Sequence, residues 1–499
     1  MGLHVSSMKN LDPHFAAGSQ DRAFADMVFN GLLRYKPGKA PEIEPDLAEA
    51  MPEFVMRGQK QIWTINLRQG IMFHSAPGIP AHELTASDVV FSLQKSADPE
   101  RCRYSGEYKG MTFKEKDRYT VEIVLDDPMS TVLFFPKFAD YGGGFIVSKS
   151  ALQKMGVETF KHHPVGTGPF AFQSHDPGKK IVLKAHDRYF RGRPRLRGVE
   201  IFFTSKPEDR EKKIMTEDLD VVMGSAKKGW IERMIAADGI EMDFFGVGEV
   251  VTFYFNTCMA PLDDIRVRKA IAHALDQDVF MATSHKRVIQ KIYSPVPAHL
   301  LPGGLTKEET LKIVYTRDLK KARALLTEAG YPQGFNLDLV SSEKRLHVTL
   351  NQSLADQLAR IGIQCRLHVK KHADMHKLIR QQPCPIVLYV AWRPNADQFL
   401  TRFFHSNSII VKGSRPDTNF SHYDKIDALI EDARREINPE KQIDLWKHAQ
   451  IKILSDAAAY PVMTQIPFFA RKANVDYGHE LISTLALYPQ FTEKTRILP

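Results

Sequence analysis

The segment 163–170, His-Pro-Val-Gly-Thr-Gly-Pro-Phe, constrains the fold of this chain more than any other. Two glycines around a threonine, followed by a proline, let the backbone turn sharply without strain, because glycine tolerates positive φ and proline fixes φ. The residues after it alternate between apolar and polar, as in half-buried strands, at 170–172, 181–183 and 199–203. The segment therefore predicts a structural corner that leads into paired strands.

Length and composition indicate a globular protein of two or three domains. The chain has 499 residues, of which 43% are hydrophobic and 25% charged, values typical of ordinary globular proteins. No run of about 18 uncharged apolar residues occurs, so the sequence predicts no membrane span. Residues 1–6 lack the basic and apolar regions of a secretory signal. Either an export signal has been removed or the protein is not exported, and we favour the first interpretation because residues 3–5 resemble the opening strand of a mature domain.

Charge and cysteine spacing argue against nucleic-acid and zinc binding. The net charge of +9 is spread along the chain, whereas a nucleic-acid binder usually concentrates it. The densest basic stretch, Arg188 to Arg197, is interpreted as a strand connection with a solvated face. The four cysteines are far apart and form no Cys-x-x-Cys motif. They permit at most two disulfides, and the pairing stays open.

The second half of the chain predicts alternating helices and strands. A helix is expected at 264–275, and Asp318 is expected to cap another. The stretch from 335 to 369 reads strand, helix, strand, and such a unit implies parallel pairing with a right-handed crossover. Ile386 to Ala391 is wholly apolar, which predicts a central strand.

Common catalytic motifs are missing from the sequence. There is no Gly-x-Ser-x-Gly elbow and no phosphate-binding Gly-x-x-x-x-Gly-Lys-Ser/Thr loop. His82-Glu83 and His479-Glu480 begin like zinc-protease helices, but the second histidine is absent from both. The sequence therefore predicts a protein that is not an enzyme and holds no cofactor and no metal.

Short motifs in a fixed order along nearly the whole chain resemble one known family. The order resembles that of the ABC-importer solute-binding proteins of the peptide and nickel type, the bacterial extracellular solute-binding proteins of family 5. The motifs are Leu11-Asp12-Pro13, Pro45-Asp46-Leu47-Ala48-Glu49, Leu67-Arg68-Gln69-Gly70, Phe73-His74, Thr85 to Ser92, Pro164 to Phe170, Phe255-Asn256, Arg266 to Ala270, Ala322 to Tyr331 and Leu358 to Ile363.

The resemblance implies an α/β architecture, the class II periplasmic-binding-protein fold. Such a fold has two α/β lobes with a central cleft and a subdomain inserted in the first lobe. In this numbering lobe one would combine 1–40, 164–250 and 470–499, with the insert at 41–163. Lobe two would span 251–469.

The resemblance also implies the function. The protein is expected to be the extracytoplasmic, periplasmic component of an ABC importer. It would capture a peptide, an opine-like or another amino-acid-derived solute by hinge closure and deliver it to the membrane permease. We expect a monomer with no nucleic-acid partner. A cytoplasmic ligand-sensing module on the same fold, a receptor for nickel or a metal chelate, and an enzyme with an unrecognised site remain alternatives, and the ligand's identity stays open.

The loop after the strand Ile386 to Ala391 is the predicted ligand-binding segment, because open parallel sheets present ligands at the carboxyl ends of their strands. Trp392 offers a broad apolar face, and Arg393 can bind a carboxylate or phosphate through two hydrogen bonds. In peptide-binding members this loop is longer and holds an aspartate that pairs with the peptide's amino group. Here only Asp397 is available for that role, and Asn395 completes the candidate loop.

Three further segments are candidates for ligand contact. Gly18 and Ser19 match a cleft-lining segment of the family, with a helix-capping turn as the alternative interpretation. Phe255-Asn256 is expected near the crossover between the lobes. His405 lies near the place of a metal-binding histidine in nickel-binding relatives, although it could equally end a helix.

Overall fold

The computed structural model describes residues 1–225, 229–246, 248–313, 315–485 and 487–499. Helices and strands alternate along the chain, as expected for an α/β protein. The strands are β1 Gly2–Leu3, β2 Leu33–Tyr35, β3 Ile43–Pro45, β4 Glu53–Arg57, β5 Lys60–Asn66, β6 Met111–Asp117, β7 Thr120–Leu125, β8 Phe170–Asp176, β9 Lys180–Ala185, β10 Gly198–Phe203, β11 Val221–Met223, β12 Ile240–Phe244, β13 Glu249–Phe255, β14 Ile289–Lys291, β15 Asn336–Ser342, β16 Gln364–Lys370, β17 Ile386–Ala391, β18 Ala459–Gln465, β19 Phe468–Lys472, β20 Val475–Asp476 and β21 Arg496–Ile497. The helices are α1 Ser19–Val28, α2 Ala86–Ala97, α3 Thr131–Phe134, α4 Pro136–Ala139, α5 Lys149–Met155, α6 Val157–Phe160, α7 Pro207–Met215, α8 Trp230–Ala236, α9 Ile265–Ala274, α10 Gln277–Met281, α11 Lys307–Thr310, α12 Leu319–Glu328, α13 Arg345–Ala359, α14 His372–Gln381, α15 Ala396–Phe404, α16 Asp427–Arg435 and α17 Pro439–Ser455.

The chain folds into two compact units. Unit 1 comprises Met1–Val247 and Pro467–Pro499, and unit 2 comprises Gly248–Ile466. The ends predicted for lobe two, 251 and 469, each lie three residues from the ends of unit 2. In the part of the chain that the structure describes, no helix is long and apolar enough to cross a membrane.

The main sheet of unit 1 has seven strands in the order β12-β19-β11-β1-β10-β9-β8. Strands β8, β9 and β10 pair antiparallel, which confirms the three strands predicted after the corner. The N-terminal strand β1 runs parallel to both of its neighbours. Strand β19 comes from the C-terminal segment and pairs with β11 and β12. The sheet thus joins both ends of the chain to its middle.

The glycine-rich corner packs directly against the end of α1. A Cβ atom on Gly166 would overlap the carbonyl oxygen of Val28, and one on Gly168 would overlap that of Met27. The Gly168 amide donates a hydrogen bond to the Val28 carbonyl at 2.9 Å. Neither glycine has a positive φ, so the predicted reason for glycine is wrong. Glycine is required here because the backbones approach closely.

A buried carboxylate connects two of the family motifs, Pro45 to Glu49 and Pro164 to Phe170. Asn30 donates from Nδ2 to Asp46 Oδ2 at 2.8 Å and to the Tyr189 hydroxyl at 3.3 Å. Arg191 donates from Nε and Nη2 to Asp46 Oδ1 at 3.3 and 3.1 Å. Thr167 donates to Asn30 Oδ1 at 3.0 Å. Asp46 is only 1% exposed. We call these five residues the Asp46 network.

A second buried ion pair holds α2 against the N-terminal segment. The Lys95 ammonium lies 2.9 Å from Asp12 Oδ2 and donates to His14 Nδ1 at 3.0 Å. Because Nδ1 accepts, the His14 proton is on Nε2, which donates to the Phe145 carbonyl at 2.9 Å. All of these side chains are buried. The arrangement explains why an aspartate stands in the Leu11-Asp12-Pro13 motif.

A four-stranded antiparallel sheet in unit 1, in the order β4-β5-β7-β6, carries its own aromatic core. Trp63 stacks on Phe134 with ring centroids 4.0 Å apart and an angle of 7° between the rings. Helix α2 packs on this sheet and begins with a capping box, in which Asp88 accepts a hydrogen bond from the Thr85 amide.

Unit 2 contains a four-stranded antiparallel sheet, β14-β18-β13-β17, and a parallel pair, β15 and β16. The parallel pair is joined by α13, which confirms the predicted strand-helix-strand unit. Asp318 caps α12 as expected, and Asp264, predicted as the first residue of a helix, caps α9; each side chain accepts a hydrogen bond from a first-turn amide.

Strand β17 does not take the predicted central place in a parallel sheet. It pairs antiparallel with β13 and stands at the end of the hydrogen-bonded order, as far as the structure describes the chain. Its apolar sequence is explained by burial on both faces, and Val387 and Leu388 are both buried. The apolar sequence of β17 therefore indicates that the strand is buried, and it does not indicate where the strand lies in the sheet.

Replacing Asp46 by alanine should destabilise unit 1 by about 3 kcal/mol, because removing one partner of a buried ion pair leaves the other charge uncompensated. Urea unfolding followed by circular dichroism measures the effect. The matched control is Asp187→Ala, which removes a pair with Arg193 in which both side chains are largely exposed and should leave the midpoint almost unchanged. Equal midpoints for the two variants would contradict the role of the Asp46 network.

The free energy of unfolding should decrease as the pH is lowered below about 6.5. Burial, assisted by the charge of Lys95, lowers the pKa of His14 to about 3. Between these two values the unfolded chain binds a proton that the folded chain does not, so each unit of acidification costs about 1.4 kcal/mol per such histidine. His14→Gln should show a shallower pH slope of unfolding free energy than the parent. The exposed His448 on α17 serves as the control, and a slope lowered equally by His448→Gln would contradict the assignment.

Candidate functional site

The candidate loop of unit 2 runs from the end of β17 to the start of α15. Asn395 caps α15, because its Oδ1 accepts a hydrogen bond from the Gln398 amide at 2.9 Å. The cap fixes the direction in which the chain leaves the loop. Asn395 is itself buried, so its observed contact is structural.

Arg393 is the unusual charge of this loop. Its guanidinium lies 4.9 Å from the centroid of the Phe403 ring, and Nη1 donates to the Trp392 carbonyl at 2.7 Å. Its Nε is buried and has no hydrogen-bond partner. No carboxylate pairs with it among the described residues. Burial, reinforced by the nearby charge of Arg402, lowers the pKa of Arg393 below its ordinary value.

The neighbouring cation is neutralised. Arg402 donates from Nη1 to Asp417 Oδ2 at 2.6 Å and from Nε to Gln398 Oε1 at 2.8 Å. Of the two arginines near Phe403, only Arg393 therefore has no carboxylate within ion-pair distance among the described residues. Such a group can bind a carboxylate or another oxyanion.

The ring under Arg393 belongs to an aromatic cluster that the sequence analysis missed. Tyr254 stacks on Phe403 with centroids 5.1 Å apart, and Tyr389 lies 5.0 Å from Phe420. The tyrosines come from the paired strands β13 and β17. Three phenylalanines come from α15, and two of them, Phe399 and Phe403, are four residues apart. Residues four apart are neighbours on a helix, so this aromatic pair could have been found in the sequence. The cluster consists of Tyr254, Tyr389, Phe399, Phe403, Phe404 and Phe420.

Trp392 stands beside this cluster without being enclosed by it. Its ring contacts Phe399 edge to face, with centroids 6.2 Å apart. The residue is half-buried, in contrast to Trp63, Trp230 and Trp446, which are fully buried. Part of the Trp392 surface is therefore available to another molecule.

Asp397 already has a charge partner inside unit 2. Its two carboxylate oxygens accept hydrogen bonds from Arg434 at 2.8 and 3.1 Å. The side chain of Asp397 is 7% exposed. The pair joins α15 to α16. The observed contact of the Asp397 carboxylate is therefore structural, whereas the sequence analysis predicted that it binds an amine of the ligand.

His405 ends α15 and is buried. Its Nδ1 accepts a hydrogen bond from the Asn407 amide at 3.0 Å, and Nε2 lies 3.5 Å from Glu431. Among the residues that the structure describes, no group of three or more histidine, cysteine, aspartate or glutamate side chains could hold a metal ion. The helix-end interpretation of His405 accounts for its contacts.

Phe255 and Asn256 lie at the opposite end of β13 from the candidate loop. In the β13 and β17 register, Val250 faces Ala391, whereas Phe255 faces Ile386. Asn256 donates to the Cys384 carbonyl at 3.3 Å and is 1% exposed. The division of the chain into units falls between residues 247 and 248, just before the other end of β13, and the expected place of Phe255-Asn256 near the crossover stays a prediction. Their positions within unit 2 do not bring them to Trp392.

Gly18 and Ser19 begin α1 in unit 1. The Gly18 amide donates to Asp21 Oδ2 at 2.9 Å, as in a helix-capping turn. Both residues are half-buried. The capping interpretation accounts for the observed contacts, and a role in ligand contact stays a prediction.

Comparison with known proteins identifies the family. Residues 42–409 match the family described as bacterial extracellular solute-binding proteins, family 5 middle. The chain belongs to this family. The predicted α/β fold and the predicted function, the substrate-binding component of an ABC importer, are thereby confirmed.

Individual family 5 relatives differ in the ligands that they are named for. The chain is 26% identical to heme-binding protein A of Haemophilus influenzae, with 90% of this chain and 84% of that protein covered. It is 28% identical to the dipeptide-binding protein of Escherichia coli, with 89% and 85% covered. A solved structure of MoaA from A. tumefaciens R10 in complex with mannopinic acid is 34% identical in sequence and has a TM-score of 0.79. The match covers 100% of this chain and 99% of MoaA.

Asp397→Asn should lower the unfolding free energy of unit 2 by about 2 kcal/mol in the absence of ligand, because it breaks a largely buried pair with Arg434. Urea unfolding is the measurement. Asp432→Asn, which removes an exposed contact with Arg435 on the same helix, is the control and should have little effect. An Asp397→Asn protein of unchanged stability that no longer binds a dipeptide would instead restore the predicted role in binding the ligand amine.

Proposed function

We propose that this family 5 protein is an extracytoplasmic receptor for a small anionic solute of the opine-like or otherwise amino-acid-derived class. It binds this solute without catalysis and delivers it to an ABC permease. The observation that carries the proposal is Arg393, a half-buried guanidinium with no carboxylate partner among the described residues and with an unpartnered Nε. Leaving such a group uncompensated is costly. A ligand carboxylate would remove that cost.

The proposed contacts divide between one charged and one apolar side chain. Arg393 binds the anionic group, and Phe403 holds its guanidinium in place. Trp392 covers the uncharged part of the solute with the exposed part of its ring. Gly18 and Ser19 remain candidates for further contacts from unit 1.

Two features favour an anionic solute over a peptide. The carboxylate of Asp397, the acidic residue of the segment 392–397, lies in the first turn of α15 and is bound by Arg434, so a peptide's amino group has no free acidic partner in that segment. The relative MoaA, solved with mannopinic acid, is 34% identical to the chain along its whole length. A receptor for a peptide remains the second candidate, because several similar proteins are named for peptides.

A thermal-shift screen tests the ligand class directly. The panel contains mannopinic acid, its uncharged sugar alcohol analogue mannitol, dipeptides and a nickel-histidine chelate. A true ligand at about a hundred times its Kd should add about 2.7 kcal/mol of stability. Stabilisation by dipeptides alone would support the second candidate and contradict the first.

Calorimetry on single variants then tests the two proposed contacts. Trp392→Ala should weaken binding of the selected ligand by about 2 kcal/mol, as truncation of an aromatic anchor commonly does. Arg393→Gln should weaken anionic ligands strongly and leave any uncharged ligand unaffected. Arg435→Gln, an exposed arginine on α16, is the matched control. Parent-like binding by folded Trp392→Ala and Arg393→Gln proteins would show that the site lies elsewhere.

A further inference from the structure

Unit 2 contains a group of three histidines that the proposed ligand contacts do not use. His372 and His376 lie four residues apart on α14, with ring centroids 4.4 Å apart. His347 on α13 faces His372 at 5.6 Å. His347 is buried, and the other two are half-buried. An ion or small molecule could therefore reach the pair on α14.

The hydrogen bonds of this group fix which nitrogen carries each proton. Arg380 can only donate, and its Nη1 lies 3.1 Å from His376 Nδ1. A neutral His376 is therefore protonated on Nε2, which donates to His372 Nε2 at 3.1 Å. His372 in turn is protonated on Nδ1 and donates to Ser342 Oγ at 2.9 Å. Burial, reinforced by the neighbouring His372, lowers the pKa of His376 to about 4, and burial also lowers the pKa of His372.

The distance between the two Nε2 atoms also matches coordination of one metal ion. Two nitrogens bound at about 2.0 to 2.1 Å, at angles between square and tetrahedral, are about 2.9 to 3.4 Å apart. The observed 3.1 Å lies within that range. Histidines four residues apart on one helix are a recurrent pair of metal ligands.

We propose that His372 and His376 bind one divalent transition-metal ion through their Nε2 atoms. Ions that prefer imidazole, namely nickel, copper and zinc, are the expected class. The ion takes the place of the shared proton, and water fills its remaining positions. The site has two protein ligands, since the described residues contain no group of three that could hold an ion. It does not depend on the ligand proposed above.

The side chains next to the two histidines act in opposite directions: one favours metal binding and the other opposes it. Ser342 already accepts the Nδ1 proton of His372, which is the arrangement that orients a metal-bound imidazole. Arg380 donates to His376 Nδ1, the nitrogen that must carry the proton once Nε2 binds a metal. Arg380 must therefore turn away before the ion binds. Arg380 also donates to the Tyr389 hydroxyl at 2.6 Å, which holds it in the blocking position.

Calorimetric titration of the tag-free protein with nickel and zinc chlorides at pH 7.5 tests the proposal. A Cys258→Ser background removes the exposed free thiol as a competing ligand. We expect one site, and His372→Gln and His376→Gln should each weaken it at least tenfold. His368→Gln, on β16 and paired with Asp338, is the matched control and should bind like the parent. Circular dichroism checks that each variant is folded.

Arg380→Met supplies the sharpest measurement, because a merely structural histidine pair would not respond to it. Methionine keeps an unbranched stem similar to the aliphatic part of arginine and removes the guanidinium donor, so this variant should bind nickel and zinc more tightly than the parent. Absence of binding by the Cys258→Ser protein and by Arg380→Met, or binding that both histidine variants retain, would overturn the proposal.

Discussion

The buried carboxylate of Asp46 is the constraint on which the fold of unit 1 depends. A buried charge must be paired and hydrogen-bonded, and the partners of Asp46 come from positions 30 and 191, far away along the chain. Thr167 and Tyr189 complete the same network through Asn30. The end of α1, the glycine corner and the segment after β9 are thereby held to one point. Segments that look independent in the sequence are therefore connected by one hydrogen-bonded network in the folded protein.

The ion pair of Lys95 and Asp12 works by the same principle for α2. It joins a helix to the N-terminal segment in a place without solvent, where loss of either partner would leave a bare charge. His14 takes part only as a neutral ring, because the ammonium of Lys95 points at its Nδ1. Buried charge therefore gives unit 1 specific contacts between distant segments that apolar packing alone would not specify.

Arg393 reverses this pattern in unit 2. The other arginines near the loop, Arg402 and Arg434, each bind an aspartate, whereas Arg393 rests on an aromatic ring. A contact of this kind compensates only part of the cost of removing a guanidinium from water, because it is worth about 0.5 to 2 kcal/mol. A family of binding proteins offers a physical reason to keep such a charge, since the ligand can supply the missing carboxylate.

Local patterns predicted much of the fold. The caps at Asp264 and Asp318, the strands after the corner and the parallel pair β15 and β16 all follow from spacing and polarity of residues near each other in sequence. The place of β17 did not, because an apolar strand has the same composition at the edge of a covered sheet as at its centre. The sequence likewise identified Trp392 and Arg393 as candidate ligand-binding residues, but it did not predict which side chains they contact.

The sequence by itself determined the family, the α/β class, several helix and strand positions and the loop that follows β17, because these depend on short-range patterns. Only the tertiary structure decided which charges are paired. Asp397 and Arg434 are separated by 37 residues in sequence. Asn256 and Trp392 each follow one of two neighbouring strands, yet they lie at opposite ends of the antiparallel pair. Strand direction, register and helix packing set such distances, and they arise from contacts between segments that no local pattern contains.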